Sequence, residues 1–580
     1  MILQALVRHY EDLAARNQIA PPGWNQVKVS YALELGGEGR LLRAVSVQES
    51  KKRGDKEVLT PRLIELPAPV KRTVGIAPNF LCDNSSYLLG IDGKGNPTRA
   101  RACFAACKAL HEQLLSGLAS PSAQALLRFF RTWDPEAAEA HPALQDHLSG
   151  IMANANLVFR FDGAFVHMDP AVRQAWQTHY SAEGDGPRMV CLVTGQEGSV
   201  EAVHPSIKGV QGAQSSGAAL VSFNAPAFCS YGKEQSLNAP ISKYAAFAYT
   251  SALNHLLADR RHVYLMGDTT VVCWAEGGDP AFPDAFGAFT FGAACSYTEQ
   301  ELRDMIKQLL KGNPVEYDEA LLDPERPFYI LGLAPNAARL SVRFFLRNSY
   351  GAFLKNVQDH YDRLEIVRPS YDKTVNLMPK RLLGETVNPN SRDKSASPNM
   401  TAAVLRAVLM NEPYPATLLH GALLRIRAEH EVTRGRAAII KAYYLKRPHK
   451  DIPKEVLTVS LNPDSTSIPY TLGRLFSVLE AVQSAANPGI NTTVKDRYFN
   501  AASSTPSHIF PVLLNLSQKH LRKLDTGLRI HYEKQIAALA ALLPEEFPAQ
   551  LSLPRQGSFQ LGYYHQTQKR YEKKEDADHE

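Results

Sequence analysis

The chain has 580 residues, 44% of them hydrophobic and 21% charged. That is ample apolar content for a buried core, so whole-chain disorder is excluded and roughly two to four domains are expected. Net charge is +6, too mild an average to define a partner, and the longest purely apolar run, Ile536 to Leu543, is far short of the roughly 20 residues a membrane-spanning helix needs.

In chain order, residues 1–16 place Ile2, Leu3, Leu6, Val7, Tyr10 and Leu13 at helical spacing, which predicts an amphipathic helix. Glu11 and Asp12 interrupt this N-terminus too early for a secretory signal, so a cytoplasmic product is expected. Val27, Val29, Tyr31, Leu33 and Leu35 then alternate, Gly36-Gly37-Glu38-Gly39 turns, and Leu42 to Val47 returns, predicting a β-hairpin. Helices are predicted at 99–117, 121–131 and 243–258, and strands at 188–194, 262–266, 269–274, 328–333 and 340–346. Beyond about 346 the strand signal fades. Helical spacing marks 401–410, 415–428 and 434–447, followed by a polar stretch at 448–469. A second helical block carries the stripe Leu472, Leu475, Phe476, Leu479 and Val482, then Thr505-Pro506 as a helix start, then stripes ending at Leu524 and Leu542. The expected class is α+β: a mixed α/β region over 1–345, a basic helical connector over 346–455, and an all-α bundle over 456–580 with a frayed charged tail from Lys569.

Charge is unevenly spread. Residues 346–455 carry 19 Lys and Arg against 11 Asp and Glu, densest at Arg425, Arg427, Arg434, Arg436, Lys441, Lys446, Arg447 and Lys450. Tyr443, Tyr444 and His449 lie among them. Such a stripe suits a phosphate backbone, since arginine grips oxygens bidentately and neutralised phosphates release counterions. A solvated helix face paired with Glu429 and Glu431 explains the same spacing.

Catalytic patterns fail on inspection. Gly232-Lys233 is followed by Glu234, so there is no phosphate-binding loop of the Walker type. Gly209, Gly212 and Gly217 miss dinucleotide spacing, and neither a Gly-x-Ser-x-Gly elbow nor a His-Glu-x-x-His pair occurs. The seven cysteines include no Cys-x-x-Cys pair, against a zinc ribbon or disulfide framework, and Cys103 and Cys107 read as buried small hydrophobes. Asp268, between two apolar strands, reads first as a turn residue. No enzyme, cofactor or metal is indicated.

The most unusual stretch is 204–217, His-Pro-Ser-Ile-Lys-Gly-Val-Gln-Gly-Ala-Gln-Ser-Ser-Gly. Its glycines let backbone approach a ligand, and its Gln and Ser side chains offer neutral hydrogen bonds to base edges or sugars. An ordinary surface loop is the plain alternative.

That loop, together with Asn79-Phe80-Leu81-Cys82-Asp83-Asn84, Cys191-Leu192-Val193-Thr194-Gly195 and Ser230-Tyr231-Gly232-Lys233-Glu234-Gln235, resembles one family. So do Gly267-Asp268-Thr269-Thr270-Val271-Val272, Leu331-Gly332-Leu333-Ala334-Pro335-Asn336, Lys495-Asp496-Arg497-Tyr498-Phe499, Gln556-Gly557-Ser558-Phe559 and Gly562-Tyr563-Tyr564-His565-Gln566. The family is the large subunit of the type I-C CRISPR surveillance complex, Cascade, and the matches span nearly the whole chain in order. The resemblance implies a non-catalytic subunit at the crRNA 5′ end, beside backbone and crRNA-processing subunits. It implies inspection of double-stranded target DNA for the protospacer-adjacent motif, strand separation, R-loop formation and recruitment of a helicase–nuclease. It also implies a C-terminal bundle resembling the small subunits and made separately by internal translation; no methionine follows Met410, so a start near Val456 or Val459 would use another codon.

A guide carries long sequence specificity by base pairing, leaving the protein to read a short motif and hold backbones. The residues expected to read the motif and part the strands are Lys208, Gln211, Gln214, Ser215, Ser216, Asn224 and Lys233, with Asn79, Asn84, Lys71 and Arg72 as further candidates. Two alternatives belong to other classes: a metal-dependent nuclease using Asp268 with scattered histidines, and a purely structural assembly subunit.

Overall fold

The computed structural model describes residues 1–580 apart from 54–55, 71, 73–74, 94, 182–186, 224, 393 and 572–580. The chain forms two compact units, one of Met1–Ile207 with Ala219–His255, the other of Lys208–Ala218 with Leu256–Glu580. The sequence boundaries drawn at 346 and 456 both fall inside the second unit, where one buried core runs from Tyr264 to Tyr564. The class is α+β, and among the described residues the strands are confined to those before Tyr350.

In the first unit the N-terminal helix Ile2–Ala15 buries Leu6, Val7, Tyr10 and Leu13 as its spacing predicts. The expected hairpin is only half present. Trp24–Val29 pairs instead with Arg62–Pro67, and the chain breaks at Ser30 before Tyr31–Leu35 pairs with Leu41–Ser46. Tyr31–Leu35 also pairs in parallel with Leu157–Phe161. Ala32 to Leu35 are all buried, so both faces of this central strand are covered and the alternation continuing from Val27 is coincidental. The helices Pro97–Leu115 and Pro121–Thr132 begin on Asn96 and Ser120 caps with proline in the first turn. They cover an aromatic core in which Phe80 stacks on Trp176 at 5.5 Å and His111 lies 4.5 Å from Phe130. The strand expected at 188–194 covers only Arg188–Val190. Cys191 enters a turn closed by the Gly195 amide donating to its carbonyl at 2.8 Å, which leaves Leu192 exposed.

The second unit opens on a four-stranded antiparallel sheet of Val263–Met266, Thr269–Ala275, Pro327–Asn336 and Arg339–Ser349, in that order. Between its second and third strands the chain inserts Ala281–Phe291 and Glu299–Leu310. Phe286 meets Phe328 at 5.0 Å, joining the first of these helices to the sheet. The helices Pro398–Leu409, Ala416–Glu429 and Arg434–Lys446 follow, close to prediction, then Ile468–Ala486, Val494–Ser504, Pro506–Leu521, Thr526–Ala540 and Leu553–Lys569. The last was not foreseen as a helix. Gln556, Ser558, Gln560 and His565 are buried along with Phe559 and Tyr564, so burial on every side erases the apolar stripe. Two glycines set its seat: a Cβ added at Gly473 would come under 3.0 Å from the Phe559 carbonyl, and one at Gly562 equally close to the Tyr470 carbonyl. The tail reading from Lys569 lies largely outside the described residues. Among the described residues no helix is long and apolar enough to cross a membrane.

Histidines are a recurring core element. His204, His360 and His565 are each 2% exposed or less and bond a tyrosine hydroxyl through Nδ1, at 2.6 Å to Tyr249, 2.7 Å to Tyr414 and 2.8 Å to Tyr470. Their Nε2 atoms have no hydrogen-bond partner among the described residues. Burial lowers these imidazoles to about 4, 3 and 3, and lowers His111 to about 4. Folded values below the unfolded value of about 6.5 mean that the unfolded chain binds more protons in acid. Their contribution is therefore complete above pH 6.5 and is lost as pH falls from there through 3 to 4. Each histidine is expected to add about 1.4 kcal/mol of destabilisation per pH unit in that window. Urea unfolding midpoints measured from pH 7.5 to 5 should fall steeply below 6.5; a flat profile would contradict neutral burial.

Candidate nucleic-acid interface

The loop singled out from sequence is built on the sheet of the second unit. The Gln211 amide donates to Thr270 Oγ1 at 3.1 Å, and an Arg260 guanidinium NH donates to the Gly209 carbonyl at 3.4 Å. Gly209 has φ +94° and Gly212 φ +75°, a backbone that side chains rarely adopt. A Cβ at Gly212 would come 3.2 Å from Pro335, so the loop lies directly against the turn end of the long hairpin. Val210 and Ala218 are buried as feet. Between them the Gly217 amide closes a turn onto the Gln214 carbonyl at 2.9 Å. Three of the stretches that carry the resemblance, 204–217, 267–272 and 331–336, thus meet at this base.

Above the base, Gln211, Gln214, Ser215 and Ser216 are exposed, and their side chains make no hydrogen bond among the described residues. Lys208 is exposed beside them in sequence. Fixed backbone with unspent amide and hydroxyl groups can donate to and accept from base edges or sugars. Asn224 lies outside the described residues.

Lys233 belongs to the other unit, on a turn whose Lys233 amide donates to the Ser230 carbonyl at 3.0 Å. Tyr231 at φ +55° and Gly232 at φ +68° form its corners. Asn238 clamps it from behind: Oδ1 accepts from the Ser230 amide at 2.8 Å, while Nδ2 donates to the carbonyls of Lys233 at 3.0 Å and Gln235 at 2.9 Å. Tyr231 is 99% exposed at the tip. In the sequence this tyrosine stands out only as an aromatic set before glycine in the otherwise polar run Ser230–Gln235.

The candidates around residues 71–84 converge on a buried carboxylate. Arg72 bonds both oxygens of Asp83, and the Asn79 and Asn84 amides donate to the same carboxylate at 3.0 and 2.9 Å. Asn79 Oδ1 accepts from Val70, and Asn84 Oδ1 caps the short helix Ser85–Leu88. These side chains are spent on holding a chain reversal. Lys71 lies outside the described residues.

The basic stripe divides. Arg434, Arg436 and Lys441, expected on a phosphate backbone, are buried instead at 6%, 4% and 3% exposure. Arg434 donates to Asp372 at 3.1 Å and to the Thr374 and Val375 carbonyls. Arg436 pairs with Glu429 at 2.5 Å and Glu385 at 3.5 Å, and Lys441 donates to the Glu365 carbonyl at 2.7 Å. Burial would push the Asp372 carboxyl up, but hydrogen bonds from Arg381, Arg434 and the Thr374 amide hold it well below the usual range. Of the rest, Arg425 pairs with Glu429 at 3.4 Å and Lys446 donates to the Asn411 carbonyl at 2.6 Å. Arg427, Arg447 and Lys450 remain exposed, Arg427 bonding Gln556 at 2.8 Å.

Asp268, the carboxylate of the nuclease alternative, pairs with Arg343 at 2.7 Å at the strand turn. Among the described residues no three His, Cys, Asp or Glu side chains gather as a metal ion would require. Cys103 and Cys107 are buried, and burial raises the Cys107 thiol well above its ordinary value.

No curated protein matches the chain. Residues 6–571 match the family described as CRISPR-associated protein (Cas_Csd1), which takes in both units, the pinned loop and the final helix. The chain therefore belongs to the CRISPR-associated Cas_Csd1 family.

Proposed function

We propose that this CRISPR-associated protein is the non-catalytic large subunit of a type I-C RNA-guided surveillance complex. In that role it recognises a short protospacer-adjacent motif in duplex DNA, promotes strand separation and R-loop formation on crRNA, and recruits the helicase–nuclease. Its partners are then crRNA, target DNA, the backbone and crRNA-processing subunits, and the small subunits.

The observation that carries the reading is the loop at 208–218, whose backbone is tied to Thr270 and packed on Pro335 while Gln211, Gln214, Ser215 and Ser216 stay uncommitted. A reader of a short motif needs a few polar groups presented without flexibility, because ordering them on contact would cost affinity. Phosphate contact falls to accessible cations such as Arg447 and Lys450 rather than to the buried arginines.

Gln211→Ala with Gln214→Ala, in complexes assembled with guide and partners, is expected to reduce discrimination between motif and non-motif duplex by about tenfold or more. The melting temperature should not move, since neither side chain has a hydrogen-bond partner among the described residues. Unchanged discrimination in filter-binding assays would show that the loop does not read the motif.

A further inference from the structure

The turn at 230–233 holds a feature that the motif-reading loop does not use. Tyr231 presents its whole ring to solvent at 99% exposure, and its hydroxyl has no hydrogen-bond partner among the described residues. It does so at φ +55°, a left-handed conformation that bulky L-residues rarely adopt. Gln235, four residues on, is also left-handed at φ +44°. Three hydrogen bonds from one side chain, Asn238, keep the turn in this shape. An exposed aromatic gains nothing for folding, so strain spent on presenting it points to use by a ligand.

The chemistry around the ring selects the ligand. Ser230, Lys233, Glu234 and Gln235, which flank the ring in sequence, are exposed and polar, with Phe228 three residues before it 45% exposed. A single flat ring on a narrow, stiff turn matches the π face of a nucleobase. Lys233, one residue past Gly232, supplies a cation that can reach the adjoining phosphate.

We propose that Tyr231 is a base-stacking residue that caps an unpaired DNA base where the duplex is opened. This rests on the DNA reading above. Stacking on a π face is tolerant of sequence, so the tip would stabilise opened DNA without reading which base it holds, a task separate from that of Gln211 and Gln214.

The test uses guide-loaded complexes and a target duplex carrying 2-aminopurine at the first base pair beyond the motif, with duplex affinity measured in parallel. Tyr231→Asn removes the ring while suiting the left-handed backbone, so the turn should persist, and Tyr231→Phe keeps the ring. Tyr231→Asn is expected to slow the fluorescence rise by about tenfold with duplex affinity nearly unchanged, and Tyr231→Phe to behave as the native chain. A native rise in Tyr231→Asn would overturn the stacking role while leaving motif recognition standing. Failure of Tyr231→Asn to assemble with its partner subunits would overturn it in favour of a protein contact. If the native complex bound no duplex at all, the DNA reading itself would fall, and this inference with it.

Discussion

Gly473→Ala and Gly562→Ala are each expected to destabilise the second unit by about 3 kcal/mol or more, enough to lower its melting temperature by several degrees. In an ordinary helix interior the same change would add stability, because glycine loses more backbone freedom on folding than alanine. Here the sign reverses. Each new methyl would meet a backbone carbonyl of the opposite helix under 3.0 Å away, Phe559 in one case and Tyr470 in the other. Carbonyls cannot swing aside as a side-chain end can, so Ile468–Ala486 and Leu553–Lys569 would have to separate along their buried length. Gly384→Ala is the control, since a Cβ there meets nothing within 4 Å. Thermal melts of the three variants decide the matter; a Gly473→Ala protein melting with the native chain would mean that the two helices do not approach as described.

The second large effect separates a fold-holding arginine from a phosphate-binding one. Arg434→Ala is expected to cost about 3 kcal/mol, the lower end of the usual penalty for breaking a buried ion pair, because Asp372 keeps a second arginine. Asp372 would keep Arg381 at 2.7 Å but lose the guanidinium that bonds it from within the unit. The Thr374 and Val375 carbonyls would lose their donor as well, so adding Asp372→Asn to the Arg434→Ala chain should recover only the part of the loss that comes from the half-paired carboxylate. Equilibrium unfolding in urea reads both. A phosphate contact predicts the opposite pattern: native unfolding for Arg434→Ala, and a flatter dependence of DNA affinity on salt.

These two predictions also mark where the sequence was transparent and where it was not. Helices such as Lys243–Ala258 and Arg434–Lys446 were legible almost to the residue, because their residues favour helix and their starts and stops are local, as with the Thr433 cap and Pro448 beyond the end of the second. Pairing was less so. Nothing near Tyr31 announces Leu157 as its neighbour, so a central strand was mistaken for a continuation of Val27 and Val29. Positive charge misled for a related reason: spacing gives the number of arginines on a helix but not whether Asp372 or Glu385, far back in the chain, comes to meet them. The loop was visible as composition alone. Its rigidity, which is what makes it a candidate reader, comes from Thr270 and Pro335 and cannot be seen within 204–217.

The partition of the chain has a consequence for synthesis. Lys208–Ala218 counts with the second unit, yet it leaves the ribosome before Ala219–His255, the stretch that completes the first. Its anchors at Leu257, Thr270 and Pro335 are translated later still. For that interval the nascent chain carries Val210 and Ala218, buried in the finished protein, without the surfaces that cover them. Assembly of this loop is therefore a late event in biogenesis, and a ribosome stalled just before Pro335 would hold a polypeptide whose first unit has all its residues while the loop still lacks part of its floor.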